Sequence, residues 1–506
     1  MRHWHTPHEN GLQFADIVSE TVSPYRLLIG GDWIEAGSGT YGVVNPATED
    51  VVDEAPEASA ADARAAATAA RAALPAWSRT TPQARAALLQ AVADRVRQRA
   101  DELLPLIIAE TGATLSVGSA LQVPMCANRF ERYAKGALQD LTIAIPPMEM
   151  QPTPLAPGGL MGAVGLRPPV GVVACITPYN FPITSMAGKV APALATGNTV
   201  VIKPAPHGPL AVIELVRIME EVGFPPGVVN LVTSSRPEPG AALVDSPDVD
   251  MISFTGSTGV GVKIYEAGAR TMKRLLLELG GKGACIVCDD ADLTAAVTAL
   301  GCVWAFHSGQ ICTAPTRAVV QRTVYEEVVE GLTKLAPQLK VGDPLEIDTV
   351  VGPVISAAQR DRIEGYISSG TDDGAELITG GNRPAHLEKG FYVEPALLAG
   401  CTNGMRAARE EIFGPVLVVI PYDDDDEAVA IANDSDYGLY DYVYSGDTAR
   451  AYDIARQLRC GHVGLNTAQR NHEAPFGGFK MSGIGRDNGD WGLEAYTEVQ
   501  SIIWPG

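Results

Sequence analysis

Three apolar runs of strand length recur in the first half of the chain, each broken by proline or glycine. Val172-Val173-Ala174-Cys175-Ile176-Thr177 stops at Pro178-Tyr179-Asn180-Phe181-Pro182, and Thr199-Val200-Val201-Ile202 stops at Lys203-Pro204. Met251-Ile252-Ser253-Phe254 leads into Thr255-Gly256-Ser257-Thr258-Gly259-Val260-Gly261. Strand and helix signals alternate from Val172 to Leu279, which predicts a parallel sheet covered on both faces. A second series runs from Ala284 to about Asn466, with strands expected at Ala318-Val319-Val320, Val416-Leu417-Val418-Val419-Ile420 and Tyr442-Val443-Tyr444. Ahead of both, Arg26 to Ile34 reads as a hairpin turning at Gly30-Gly31. Ser59 to Leu74 and Pro82 to Thr111 read as two helical segments, with Ser59 as N-cap and Pro75 and Gly112 as stops.

Composition narrows the picture. A chain of 506 residues exceeds one hydrophobic core and should form two or three domains, and 46% hydrophobic content fills them. A net charge of −22 repels phosphate backbones and anionic lipid, so neither a nucleic acid nor a membrane is expected as partner. No apolar run reaches spanning length and the first residues lack the apolar core of a signal peptide, which leaves the cytoplasm as the expected location. The eight cysteines read as reduced thiols. Cys285 and Cys288 form a CxxC inside an apolar run, where their spacing sends the side chains to opposite strand faces, and no second pair completes a zinc site. His3, His5 and His8 belong to an expected N-terminal arm over 1–25, and no metal is expected. The run Asp423 to Glu427 reads as a helix start stabilised by the helix dipole.

The candidate chemistry lies in a thiol and a carboxylate. Cys312, in His307-Ser308-Gly309-Gln310-Ile311-Cys312-Thr313, follows Glu278 of Leu277-Glu278-Leu279-Gly280-Gly281-Lys282. A thiolate can form an acyl-enzyme, and a carboxylate can activate the water that releases it. Leu275, Leu276, Leu277 and Leu279 surround Glu278 with apolar neighbours, so burial should raise its pKa towards the range a base needs. With Asn180, Lys203, the Gly256 to Gly261 loop, Glu278 and Cys312 in this order, the chain resembles the NAD(P)-dependent aldehyde dehydrogenase superfamily. Glu410-Glu411-Ile412-Phe413-Gly414-Pro415-Val416 and Pro475 to Arg486 extend the resemblance from about Leu27 to the C-terminus.

That resemblance implies an α/β fold with a Rossmann-like cofactor domain, a second α/β catalytic domain and a small β oligomerisation extension. The expected division is 26–145 with 168–281 for the cofactor, 282–483 for catalysis, and 146–167 with 484–506 as oligomerisation strands. It implies oxidation of an aldehyde to the acid through a Cys312 thiohemiacetal and thioester, with Asn180 and the Cys312 N–H as oxyanion donors and Glu278 as hydrolytic base. CoA-acylating members lack that glutamate, so an acylating semialdehyde dehydrogenase is one alternative reading. A noncatalytic structural or binding protein on the same fold is the other. NAD, with NADP possible, would contact Ile176, Thr177, Tyr179, Lys203, Gly256, Ser257, Gly261, Leu279, Gln359, Glu411 and Phe413. The glycine loop is not the Rossmann GxGxxG, because its glycines stand at relative positions one, four and six.

Departures from the family pattern bear on specificity. Pro206 replaces a ribose-binding glutamate of NAD-specific relatives, but no nearby arginine awaits a 2′-phosphate, which favours NAD. Tyr179 replaces a usual tryptophan, and Gly188 is small where many relatives carry a large aromatic. Phe181, Phe306, Arg470, His472 and Phe476 are the candidate substrate residues. The loop Thr467 to Ala474 is either solvated surface or uses Arg470 and His472 to select a polar or anionic aldehyde. A projecting hairpin over Gln151 to Arg167, paired with Ser501 to Trp504, leaves edges for another chain to cover, so a homotetramer or homodimer is expected. Arg274, Arg486 and Glu498 match positions that link the cofactor site to a subunit contact.

Overall fold

Each apolar run in the first half buries alternate residues on opposite faces, and this builds the larger of two sheets. Val173, Cys175, Val200 and Ile202 join one core, while Val172, Ala174 and Val201 join another on the other side. The computed structural model, which describes residues 25–505, places eight strands in this sheet. Their order is Gly483–Ile484, Arg274–Glu278, Met251–Thr255, Val172–Ile176, Thr199–Lys203, Val229–Leu231, Leu27–Ile29 and Asp32–Ile34. The five central strands are parallel, and the outer strands at both ends are antiparallel.

A second sheet of seven strands runs Glu376–Thr379, Ala396–Ala399, Val416–Tyr422, Arg317–Gln321, Ala284–Val287, Tyr440–Tyr444 and His462–Leu465. Cys285 and Cys288 fall into different cores on its two faces, as their spacing required, and both are free. Asp424 caps the helix Asp425–Asn433 through the backbone N–H of Glu427, so the acidic run does start a helix. No helix among the described residues is long and apolar enough to cross a membrane. The expected N-terminal arm, apart from its last residue, lies outside the described residues.

Several boundaries differ from those expected. The helix begun by Ser59 spans Ala60–Trp77 and runs through Pro75. Only the final turn lies beyond that proline, and the Ser78 N–H still closes onto Leu74 O at 2.9 Å, so the break is tolerated. The segment expected as one helix from Pro82 to Thr111 is two, Pro82–Gln98 and Ala100–Thr111. They part at Arg99, whose guanidinium bonds Glu102 at 2.7 Å and Glu214 at 2.9 Å and reaches Glu221 at 3.3 Å. The helix Val123–Gly136 was not foreseen, although it packs Phe130 and Tyr133 into the core of the first sheet.

The projecting sheet has three strands, Gln500–Pro505, Gly159–Leu166 and Ile143–Met150, so its hairpin starts earlier than residue 146. Residues after 483 do not all belong to it, because Ile484 pairs with Leu277 in the first sheet. Ser59 and Asp62 form a reciprocal capping box, with Ser59 N–H donating to Asp62 Oδ2 at 2.7 Å. Ser59→Ala is therefore expected to lower stability by about 1 kcal/mol in urea unfolding of the full chain, with the cavity described below unaltered.

Candidate active site

Parallel strands place their carboxyl ends at one rim, and three expected site positions, Ile176, Lys203 and Glu278, meet there. Lys203 is in register with Ile176, Ile176 with Phe254, and Thr255 with Glu278. Crevices at such rims are where open α/β sheets bind ligands. From Glu278 the chain passes through Leu279, Gly280 and Gly281 directly into the second sheet. A Cβ at Gly280 would overlap the Glu411 carboxylate, and one at Gly281 would overlap the carbonyl oxygen of Cys312. Glycine is required at both positions by this close approach.

Glu278 is buried, and among the described residues neither carboxylate oxygen has a hydrogen-bond partner. Burial, reinforced by the charge of Asp487, pushes its carboxyl well above the ordinary range, while Lys189 and Arg486 oppose the shift. Lys189 Nζ faces Asp487 at 3.5 Å.

Cys312 follows the helix Leu293–Ala305 and a tight turn, Phe306–Gly309. His307, Ser308 and Gly309 are all left-handed, with φ of 49°, 56° and 71°, a conformation that non-glycine residues adopt only when held. The Ser308 hydroxyl donates to Gly352 O at 2.7 Å, and His307 Nε2 bonds Asn180 O at 2.8 Å. Gln122 Nε2 donates to the same carbonyl at 3.0 Å. The side-chain amide of Asn180 donates to Gln310 O at 2.7 Å, while its Oδ1 is buried without a partner among the described residues. One amide N–H thus fixes the side chain, and the other has no partner assigned to it among the described residues. Burial pushes the Cys312 thiol up to about 12, with Glu411 and Glu278 adding to the rise and Arg470 opposing it. The residues clamping Asn180 had no assigned role in the sequence, although His307 and Gln310 lie in the motif around Cys312.

Around the rim the features fit a dinucleotide. Ser257 begins the helix Thr258–Gly268 without spending its hydroxyl on a cap, and the space beside Gly259 is open. Lys203 is buried with Nζ 3.4 Å from Pro204 O, and desolvation brings its pKa down to about 8. Thr177 Oγ1 is buried without a partner among the described residues. Phe413 has φ of 60° and meets Tyr179 edge-on at 6.0 Å. Glu411 accepts from the Gly281 N–H at 3.0 Å, and burial raises its carboxyl to about 7.

Three expected cofactor residues, Gln359, Gly261 and Leu279, also make contacts within the chain. Gln359 donates to Ile412 O at 2.9 Å and Phe413 O at 3.0 Å, so its amide holds the Phe413 loop. Gly261 packs against Leu279, where a Cβ would lie 2.5 Å from a side-chain methyl, so both serve the contact of helix and strand.

Cys312, Glu278 and Asn180 open onto one cavity of about 370 Å³, and Phe181, Phe476, Arg470 and His472 line it too. Phe306 does not line it. That residue ends the helix before the left-handed turn, and it is His307 whose ring packs on Phe181, at 5.1 Å. Arg470 is exposed on its loop, yet its guanidinium is engaged by neighbouring side chains. It donates to the Thr313 hydroxyl and lies over the rings of Tyr440 at 5.4 Å and Phe476 at 5.9 Å. His462 stacks between those same rings at 5.1 and 4.8 Å, and burial brings its pKa down to about 4. Arg129, which also lines the cavity, escaped sequence reasoning; the small residue at 188 was the available hint that another side chain fills that space.

Comparison with known proteins shows what the chain as a whole is similar to. The sequence model of the Aldehyde dehydrogenase family matches residues 33–502. A 3-succinoylsemialdehyde-pyridine dehydrogenase of a Pseudomonas species is 41% identical over 483 residues, spanning 95% of this chain and 98% of that protein. The peroxisomal aminoaldehyde dehydrogenase 1 of Pisum sativum is 39% identical, spanning 95% of this chain and 96% of that protein. Among solved structures, betaine aldehyde dehydrogenase of Staphylococcus aureus in complex with NAD+ superposes with a TM-score of 0.89 at 36% identity, covering 94% of each chain. Aldehyde dehydrogenase C of Pseudomonas syringae, as a mutant complexed with NAD+ and octanal, gives 0.89 at 41% identity, covering 94% of this chain and 96% of that one.

The burial of Glu278 has a measurable consequence for stability. Its folded pKa lies above its unfolded value, so between the two the folded state holds the extra proton and stability falls as pH rises. Glu278→Gln keeps the shape and removes this dependence. The variant is expected to melt higher than its parent at pH 8, with the difference shrinking towards pH 5. The same difference at both pH values would exclude this linkage.

Proposed function

The chain belongs to the aldehyde dehydrogenase family, and from that premise we propose that it oxidises an aldehyde to the carboxylic acid with NAD, through Cys312. The observation carrying the residue assignment is a buried carboxylate, Glu278, with no partner among the described residues, opening onto the same cavity as a thiol and an amide donor. The Cys312 thiolate adds to the carbonyl carbon, forming the C–S bond while the π electrons move to oxygen. Asn180 Nδ2 and the Cys312 backbone N–H donate to that oxyanion; removing one such donor typically costs about 3 kcal/mol of transition-state stabilisation. When bound, NAD supplies the acceptor for the hydride that leaves the substrate carbon. The remaining thioester is attacked by water, whose proton passes to Glu278; the C–S bond breaks and the acid departs.

Burial raises the thiol and the carboxyl alike. Arg470 is the cation of this chain that favours the thiolate. The acylating reading is opposed by Glu278, which would hydrolyse the thioester before a thiol acceptor could take it. The noncatalytic reading is opposed by the cluster itself, because orphaned buried polar atoms lower stability and add nothing to a scaffold. Preference for NAD over NADP has a support beyond the sequence. Glu57, held by Ser234 and by the Ser235 N–H at 3.1 Å, is the carboxylate whose field reaches Lys203, and it would repel a 2′-phosphate.

A second copy of the chain would cover the three-stranded sheet. Gln500–Pro505 and Ile143–Met150 are its edges, and Ile502, Ile503, Trp504 and Met148 are exposed large hydrophobic side chains on them. Arg274 and Glu498 pair within the chain at 2.6 Å, close to where the sheet begins.

Cys312→Ala is expected to abolish aldehyde oxidation while NAD binding, followed by fluorescence titration, stays within a few-fold. Appreciable turnover would sink the mechanism. Glu278→Gln should give a single burst of reduced cofactor and then slow turnover; loss of the burst as well would move Glu278 into thiol activation. In sedimentation at micromolar concentration a tetramer or dimer is expected, and a monomer would refute the covering of the sheet.

A further inference from the structure

We infer that the cavity takes an aldehyde that also carries a carboxylate, held by Arg470 and Arg129, and that it discriminates against cationic aldehydes. This rests on the aldehyde chemistry proposed for Cys312. Arg129 reaches the cavity from the helix Val123–Gly136 and Arg470 from the loop after the strand His462–Leu465, so two separate elements each deliver a guanidinium. Arg132, on the same helix as Arg129, takes up two nearby carboxylates, Glu473 at 2.8 Å and Asp490 at 2.7 Å. Among the described residues neither Arg129 nor Arg470 has a carboxylate within 4.0 Å. Arg129 donates to Thr184 O at 2.9 Å; Arg470 donates to the Thr313 hydroxyl and stands beside the Tyr442 hydroxyl. Each guanidinium has five N–H donors, so both retain capacity for a forked contact to a planar anion.

The glycine at 188 belongs to this arrangement. A Cβ there would strike the Arg129 guanidinium, which occupies the space a side chain at 188 would fill. Charge inside the cavity points the same way. Asp487 faces Lys189, burial raises the Glu278 carboxyl, and the pKa of His472 is lowered first by burial and then by Arg129 and Arg470. That both arginines act on His472 sets them around one space. The net charge of −22 repels anions at a distance, but salt screens such fields over about 8 Å. Within the cavity the two local cations decide. Its volume of about 370 Å³ is in the range of small-molecule pockets and has room for a short semialdehyde.

The test compares 4-oxobutanoate, its methyl ester and 4-aminobutanal as substrates of the full chain with NAD. The intact enzyme is expected to favour the acid over both others by at least tenfold in kcat/KM. Arg470→Ala and Arg129→Ala should each reduce the acid-to-ester ratio by about tenfold to a hundredfold, as loss of a charge-assisted hydrogen bond does. Arg470→Lys, which keeps the charge on the wall, should retain part of the ratio and guards against a variant that fails to fold. Equal kcat/KM for acid and ester, or a ratio unmoved in all three variants, overturns the assignment while leaving the Cys312 chemistry standing. An enzyme that oxidises none of the three overturns both.

Discussion

The site depends on a stretch of backbone too crowded for side chains. Gly280 and Gly281 carry the chain from the end of one sheet into the next, between the Glu411 carboxylate and the Cys312 carbonyl. A single methyl at either position would push one of these groups away. The crossing sets Glu278, at the last position of a first-sheet strand, against a cysteine delivered by the second sheet. It also brings Glu411 within reach of the Gly281 N–H. The thiol and the carboxylate proposed as its base can stay in register only if the link between them is short and cannot swing, and packing on both sides ensures this.

The cavity and the residues behind its wall also concentrate what a stable fold normally avoids. Glu278, Asn180 Oδ1, Thr177 Oγ1 and Lys189 Nζ are buried without hydrogen-bond partners among the described residues, and His307 and Ser308 are held in left-handed backbone. Each feature is unfavourable alone. Together they keep an amide donor, a raised carboxyl and a thiol in fixed places, and the surrounding Gln122, His307, Gly352 and Gln310 contacts hold them there. The same logic extends to the outer wall, where Arg132 pairs with Glu473 and Asp490, while Arg129 and Arg470 have no carboxylate partner among the described residues.

The chain by itself determined much of this. Continuous apolar runs around Val172, Thr199 and Met251 specified strands buried on both faces, because burial on two sides needs no polar alternation. Leucines flanking Glu278 foretold its burial and hence the direction of its titration. Ser59 and Gly112 marked helix ends correctly, since capping is a local matter. What only the tertiary structure decided concerns residues whose partners are distant in the chain. Arg99, where two helices part, pairs with Glu214 on a third. Gln359 turns to the Phe413 loop, Phe306 stays off the cavity wall, and Arg470 folds onto Tyr440 and Phe476. Arg129 fills the space beside Gly188 from a helix that the sequence did not reveal. Periodicity and caps act over a few residues, whereas the direction of a long side chain is set by whichever surface packs against it, and that surface exists only once the chain has folded.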